Sequence, residues 1–239
     1  MYGAESRHLT VFLTKIGNLH RFMGRLSTAE PLYRQDLEIS ERTLGPEDPD
    51  TLISLNNLAI LLYERGDLDS AEPLFRRALE VRERTLGPEH PDTLGSLSNL
   101  AIQLYERGDL DGAEPLFRRA LEARERTLGP EHPDTLRSLN NLAIQLYERG
   151  DLDGAEPLYR RALEARERTL SPQHPDTLDS VSNLAILLWK RGKLEEADGM
   201  LQRVVAEREK ILLPQHPNRI KGERALAEVQ RELAARREG

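Results

Sequence analysis

Residues 129–170, GPEHPDTLRSLNNLAIQLYERGDLDGAEPLYRRALEARERTL, decide the fold. Leu136, Leu139, Leu142, Ala143 and Leu146 recur at three- and four-residue steps, which is one face of a helix. Asp134 is expected to cap that helix, with Pro133 ahead of it. Gly150 is expected to end it in the left-handed conformation a helix C-terminus often needs. A second helix is expected from Asp153, with Glu156 three residues on completing a capping-box-like pair. Pro157 then falls in the first turn, where backbone N–H groups have no intrahelical partner anyway. Leu158, Tyr159, Ala162 and Leu163 form the second apolar face. Arg160–Glu164 and Glu164–Arg168 are four-apart charge pairs, each contributing a few tenths of a kcal/mol. No strand pattern appears anywhere in the chain.

The same stretch recurs. Pro46, Pro88, Pro130, Pro172 and Pro214 are spaced by 42, as are Gly66, Gly108, Gly150 and Gly192. Residues 87–128 differ from 129–170 at three positions: Gly95/Arg137, Ser98/Asn140 and Phe117/Tyr159. The 239 residues therefore read as five units, 3–44, 45–86, 87–128, 129–170 and 171–212, with 213–239 as a linker and a capping helix over 218–237. The first unit is degenerate, keeping Leu13, Gly24, Ala29, Leu32, Tyr33 and Leu37 in register and a Ser27-x-x-Glu30 capping box. Atypical terminal units are expected where outer faces meet water. Neither helix of a pair buries enough apolar surface to fold alone, so pairs must stack. Ala143, Ala155 and Ala162, with Ala59, Ala71, Ala78, Ala101, Ala113 and Ala120, fall where helices approach. A larger side chain there is expected to cost roughly 1–3 kcal/mol through overpacking.

Leu139-x-x-Leu142-Ala143-x-x-Leu146, then Gly150, Ala155-x-x-x-Tyr159 and Ala162, resembles the tetratricopeptide repeat. The stretched period, the Asn140-Asn141-Leu142-Ala143 run and the Leu128–Asp134 linker resemble its kinesin light chain subtype. The resemblance covers about 210 of the 239 residues. It departs from the common shorter repeat in having a longer second helix, with the closing proline displaced to Pro172. It implies an all-α fold: a right-handed α-solenoid of stacked antiparallel helix pairs, in one domain spanning 1–239. Armadillo and HEAT repeats have similar periods, but they lack this spacing of alanine and glycine.

Composition excludes several classes. Cysteine is absent, so there is neither a disulfide framework nor a cysteine-ligated metal site. A net charge of -7 argues against a strongly basic nucleic-acid binder. The best apolar run, Leu184 to Trp189, is far short of the roughly 18 residues of a membrane span. No signal peptide is evident at the N-terminus, and a cytoplasmic location is the expectation. No phosphate-cradling glycine loop, His-Glu-x-x-His or Gly-x-Ser-x-Gly is present, so neither enzymatic activity nor a cofactor is expected. His90, His132, His174 and His216 share one register, and a periodic histidine column suggests metal. Zinc needs its ligands within about 2.1 Å of one ion, whereas equivalent positions lie two helix layers apart at roughly 8–10 Å each. These histidines are therefore expected to hydrogen-bond near helix starts, with no metal bound.

In a right-handed stack of hairpins, one helix of each pair lines the concave face; the resemblance implies that it is the first. The face opposite the leucine stripe carries Arg137, Asn140, Asn141, Ile144, Tyr147 and Glu148. Down the chain this gives an asparagine column, Asn57, Asn99, Asn141 and Asn183, and an aromatic column, Tyr63, Tyr105, Tyr147 and Trp189. An amide offers donors and an acceptor, so it can pair with any peptide backbone; aromatics add apolar contact with a polar tip. In the resembled family the equivalent asparagines contact ligand backbone. The competing reading is that each asparagine bonds the neighbouring repeat and sets stacking register. Differences between units fall at Ile53/Gly95/Arg137 and Asn56/Ser98/Asn140 on this face, as expected where copies diverge to read a ligand.

The first unit offers Lys15 and Asn18, two residue types of the carboxylate clamp that grips a peptide C-terminus in co-chaperone repeats. Groove charge is mixed: Lys15, Arg21, Arg137 and Lys190 against Glu64, Glu106, Glu148 and Asp179. The expected function is that of an adaptor binding a protein or peptide segment in the groove, without nucleic acid or membrane insertion. The alternative is a structural or self-associating array, or the sensor portion of a larger signalling system. Homo-oligomers are compatible with the sequence but not implied by it.

Overall fold

A computed structural model describes residues 2–238, and the side chains of 7–237. Among the described residues there are eleven helices and no strand. They are α1 (Tyr2–Phe22), α2 (Leu26–Thr43), α3 (Pro49–Glu64), α4 (Leu68–Leu86), α5 (Pro91–Glu106), α6 (Leu110–Leu128), α7 (Pro133–Glu148), α8 (Leu152–Thr169), α9 (Pro175–Lys190), α10 (Leu194–Ile211) and α11 (Pro217–Glu238). Two compact units divide the chain, residues 1–123 and 124–239, and the division falls within α6. In the first unit α1 packs on α2, α2 on α3, α3 on α4 and α4 on α5; in the second, each helix from α7 to α10 packs on the next.

The caps lie two residues earlier than the sequence reading places them. α7 begins at Pro133, and its N-cap is His132, whose Nδ1 accepts from the backbone N–H of Asp134 at 3.1 Å. His90, His174 and His216 do the same for the N–H groups of Asp92, Asp176 and Asn218, at 3.2 Å each. Asp48 fills this place in the first linker, accepting from the Asp50 N–H at 2.9 Å. Proline at the first helical position is pre-organised in φ and has no N–H to satisfy. Asp134 and its equivalents then lie in the first turn, where negative charge favours the helix dipole. Likewise α8 starts at Leu152 under Asp151, whose carboxylate accepts from the Gly154 N–H at 2.9 Å, and Asp153 lies inside the helix. The Ser27 box of the first unit does not form: α2 starts at Leu26, with Arg25 as an N-cap that makes no side-chain bond.

Each first helix ends on glycine as expected. Gly66, Gly108, Gly150 and Gly192 have φ of 80°, 86°, 87° and 74°. After α3 the Gly66 N–H donates to the Tyr63 carbonyl and the Asp67 N–H to the Leu62 carbonyl, both at 2.9 Å. That is the Schellman pattern, which satisfies carbonyls the helix itself leaves open.

The small residues occupy the tightest places. Ala59, Ala71, Ala78, Ala101, Ala113, Ala143, Ala155 and Ala162 are all 0% exposed, beneath buried Leu52, Leu55, Leu97, Leu139 and Leu184. In the first pair, Gly17 stands at the Ala59 register because Tyr33 needs the space: a Cβ there would lie 2.7 Å from the tyrosine ring. The expected Glu164 pairs are replaced by others. Arg160 pairs with Glu156 at 2.8 Å and Glu196 at 2.9 Å, and Arg168 reaches Glu131 at 2.6 Å.

Candidate functional site

The first helices α3 and α5 of one unit, and α7 and α9 of the other, bury their leucine stripes and leave the opposite face half-exposed, whereas α1 buries Leu13 and leaves Leu9 and Leu19 open. Asn56, Asn57, Ile60 and Tyr63 of α3 are partly open, as are Asn140, Asn141, Ile144 and Tyr147 of α7, whereas Ile53 and Arg137 are exposed. Helical periodicity brings these residue types to one face because positions 53, 56, 57, 60 and 63 share a stripe.

The asparagines divide into two kinds. The Asn99 side-chain amide donates to Asn56 Oδ1 at 3.0 Å, and that of Asn183 donates to Asn140 Oδ1 at 2.9 Å. Both bonds join neighbouring helix pairs, so these two side chains help set stacking register. Asn57 and Asn141 make no side-chain hydrogen bond among the described residues and keep all their polar atoms for other partners.

Tyr63 and Asn99 come together around a cavity of 170 Å³, closed by Ile60, Glu64, Phe75 and Ile102. Burial raises the Tyr63 hydroxyl above its ordinary titration range, with Glu106 adding to the effect, and burial raises Tyr147 likewise. Both phenols are therefore neutral hydrogen-bonding tips. The Lys190 ammonium lies 4.4 Å from the centre of the Tyr147 ring, a cation–π contact. Tyr105 is half-buried in the same register. Trp189 is committed at its polar end: the indole N–H donates to Glu232 of α11 at 2.8 Å. In the second unit Asn140 and Asn183 line a cavity of 220 Å³ with Asp179, Ser182, Arg208 and Lys221.

The mixed charge of this face is largely paired within the protein. Arg137 pairs with Asp134 at 2.6 Å, Arg21 with Glu64 at 3.6 Å, and Arg208 with Asp179 at 2.5 Å. Lys15 and Ile53 line a cavity of 230 Å³ between α1, α2 and α3. Asn18 is not beside Lys15 in a clamp: its Oδ1 accepts from the Tyr33 hydroxyl at 2.6 Å, which ties it to the packing of α1 on α2.

Two columns in the structure go beyond the sequence reading, which named Glu30 and Glu156 only as capping-box partners. Arg82, Arg124 and Arg166 each donate from Nη1 to a serine on the following first helix, Ser96, Ser138 and Ser180, at 2.6 Å. Arg208, the last of the series, bonds the Asn218 carbonyl at 2.9 Å. Burial lowers the guanidinium pKa of Arg82, Arg124 and Arg166. Their 42-residue spacing, and the constant 14 residues from arginine to serine, were the signal. The second column is glutamate. Glu30 pairs with Arg34 and Arg65, Glu72 with Arg76 and Arg107, and Glu156 with Arg160, Arg191 and Lys193. Desolvation works to raise Glu72 and Glu156, but hydrogen bonds from these cations outweigh it and hold both carboxyls below the ordinary range.

No cluster of three or more histidine or acidic residues able to hold a metal ion occurs among the described residues. The histidine column serves as N-caps, as described above. No helix among the described residues is long and apolar enough to cross a membrane.

Comparison with known proteins agrees with this geometry. The tetratricopeptide repeat family matches over residues 9–84, 55–102, 92–168 and 139–210. No curated protein sequence matches the chain. Among solved structures, a variant of a Podosopora anserina kinesin light chain protein with nearly identical TPR-like repeats is 27% identical, with TM-score 0.77 over 88% of this chain and 97% of that one. BtubC from P. vanneervenii is 23% identical, with TM-score 0.75 over 90% of each chain. YrrB, described as a TPR protein with an unusual peptide-binding site, is 18% identical with TM-score 0.54, covering 89% of this chain and 90% of that one. The last two likenesses show the fold alone. The leucine, alanine and glycine registers, the paired helices and the matched repeats lead to one conclusion: the chain belongs to the tetratricopeptide repeat family, a class of protein-interaction scaffold, and its repeats are of the kinesin light chain-like kind.

Proposed function

We propose that the chain is a non-enzymatic adaptor that holds an extended peptide or partner segment on the face presented by its first helices. In this reading the ten helices α1–α10 form five repeats, at 3–44, 45–86, 87–128, 129–170 and 171–212, and α11 is the terminal lid. Asn57 and Asn141 bind backbone, Asn56, Asn99, Asn140 and Asn183 shape the wall and offer their remaining polar atoms, and Tyr63, Tyr105, Tyr147 and Trp189 pack on partner side chains. Ile53 and Arg137, which differ between units, tune selectivity, and Lys15 and Asn18 mark the start of the groove.

The observation that carries this reading is the cavity where Tyr63, Asn99, Ile60 and Ile102 meet, a partly apolar recess with an amide at its edge. The family's general role in binding proteins supports it. The test is affinity capture on the immobilised full chain, in parallel with Asn99→Ala/Asn141→Ala. The partner is expected to be lost from the variant while its helical circular dichroism is unchanged. Capture that survives the double substitution rejects the groove.

A second reading, self-association, has its own supporting observation. Leu9, Phe12 and Leu19 of α1 are 43%, 59% and 57% exposed on one stripe, Phe22 at its end is 91% exposed, and Met23 just past it is 49% exposed. Sedimentation over a range of concentrations separates the two readings, since a monomer throughout removes the second.

A further inference from the structure

One register of the array lacks the internal arginine found in all the others. Arg82 Nη1 donates to Ser96 Oγ at 2.6 Å and lies 3.4 Å from the Asp92 carbonyl; Arg166 repeats both contacts, with Ser180 at 2.6 Å and the Asp176 carbonyl at 3.1 Å. Forty-two residues before Arg82 stands Ser40, facing Ser54 at 3.4 Å. The Asp50 carbonyl takes the place of that of Asp92 and accepts from Ser54 Oγ at 3.1 Å. The receiving half of the arginine site is thus intact, and the arginine is absent. A cavity of 230 Å³ lies there, lined by Thr14, Asp36, Ser40, Ile53 and Ser54.

The same cavity holds a second departure from the repeat. Ala78, Ala120 and Ala162 are 0%, 1% and 0% exposed, and the residue at that register in the first pair is Asp36, also 0% exposed. Its Oδ2 accepts from Thr14 Oγ1 at 2.8 Å, while its Oδ1 is buried without a hydrogen-bond partner. An alanine satisfies the packing three times over, and an unpaired buried carboxylate oxygen is costly unless a donor reaches it. Where the array omits a buried guanidinium, it has added a buried carboxyl group and left the volume open.

We propose that this cavity receives the guanidinium of an arginine side chain supplied by the partner, seated on Asp36 and Ser54 as Arg82 is seated on Ser96. A guanidinium presents a planar fork of donors that matches a carboxylate and a nearby hydroxyl, and it is more weakly hydrated than an ammonium. Side chains of this chain do not fill the role. Arg7 pairs with Asp50 at 3.6 Å where both are more than half exposed, and Lys15 stands exposed at the mouth with no ion pair among the described residues. The source of the arginine rests on the groove reading above, but the pocket is testable without it.

The test is an amide-resolved NMR titration of the full chain with N-acetyl-arginine methylamide, alongside the lysine and citrulline equivalents. Saturable shifts are expected at Thr14, Ile53 and Ser54 with the arginine compound, at least about tenfold weaker binding with lysine, and none with uncharged citrulline. Asp36→Asn is expected to weaken arginine binding by about tenfold or more. Ser40→Arg installs a residue that the same register already accommodates at 82, 124, 166 and 208; it is expected to fill the cavity, abolish the shifts and raise the melting temperature. No saturable shift in the unaltered chain, equal binding of citrulline or lysine, or shifts undiminished in either Asp36→Asn or Ser40→Arg overturns the proposal. Partner capture by the asparagine variant is read separately, so failure of the groove leaves the arginine pocket measured on its own terms, and the reverse also holds.

Discussion

The arginine–serine contact between successive helix pairs gives the sharpest stability prediction. Arg82 is 8% exposed and its contact with Ser96 is 2.6 Å. A hydrogen bond from a charged donor contributes about 1.5–3 kcal/mol. Against that stands the lost hydration of the guanidinium, visible in its lowered pKa. Truncation also removes the buried aliphatic stem. Arg82→Ala is therefore expected to cost about 2 kcal/mol, or roughly 4–8 °C in melting temperature for a chain of this size. Ser96→Ala is expected to cost about 1.5 kcal/mol, because it leaves the same guanidinium underpaired. Guanidine denaturation of both single variants and the double variant gives the coupling, expected at about 1.5 kcal/mol. Arg76→Ala is the control: that arginine is 55% exposed in a four-apart pair with Glu72, and its loss should cost under about 0.5 kcal/mol. A coupling for Arg82 and Ser96 no larger than that would refute the reasoning.

Three further outcomes are expected. His132→Ala removes an N-cap acceptor and should lower stability by about 1 kcal/mol, whereas His132→Asp, copying Asp48, should keep or slightly raise it; thermal melts compare the two. Burial raises the Asp36 carboxyl above its ordinary value of 3.8, so the folded state binds the proton more readily than the unfolded chain does. Stability should then fall as pH rises from 3.8 through the folded value, and melts of Asp36→Asn against pH should lack this loss and lie higher at neutral pH. For the asparagines, Asn57→Ala should leave the melting temperature unchanged, while Asn99→Ala, which breaks the bond to Asn56, should lower it by about 1 kcal/mol equivalent.

The helices were legible because leucine and alanine recur at helical steps over a fixed period, and burying that stripe has one solution, stacked pairs. The first-helix caps lie two residues before the aspartate that the sequence points to, because aspartate is the commoner N-cap acceptor; before α8 two aspartates were available, and Asp151 caps rather than Asp153. An imidazole nitrogen is unusual in that role, and the proline at the first helical position was the better guide. The candidate face was legible as a stripe. Its division into bonded and unbonded asparagines was not, because that depends on the distance between neighbouring helices and on what stands at 56 and 140. The buried arginines were hidden by chemistry that looked ordinary. In an Arg/Glu-rich helix an arginine reads as a solvated charge, and only its constant offset from a serine marks it as internal.

The asparagine pairs also make the wall tunable from behind. Residues 56, 98, 140 and 182 run Asn, Ser, Asn, Ser, so the helix repeats every 42 residues while its side-chain bonding alternates every 84. The long amide at 56 reaches Asn99 and holds it, whereas Asn57 has Thr14 in the corresponding place. Exchanging Thr14 for asparagine is therefore expected to tie the Asn57 amide to the preceding helix pair, as Asn99 is tied to Asn56. A family built this way can change which asparagine amides are tied up by altering a residue on the preceding helix pair, leaving the asparagine itself in place.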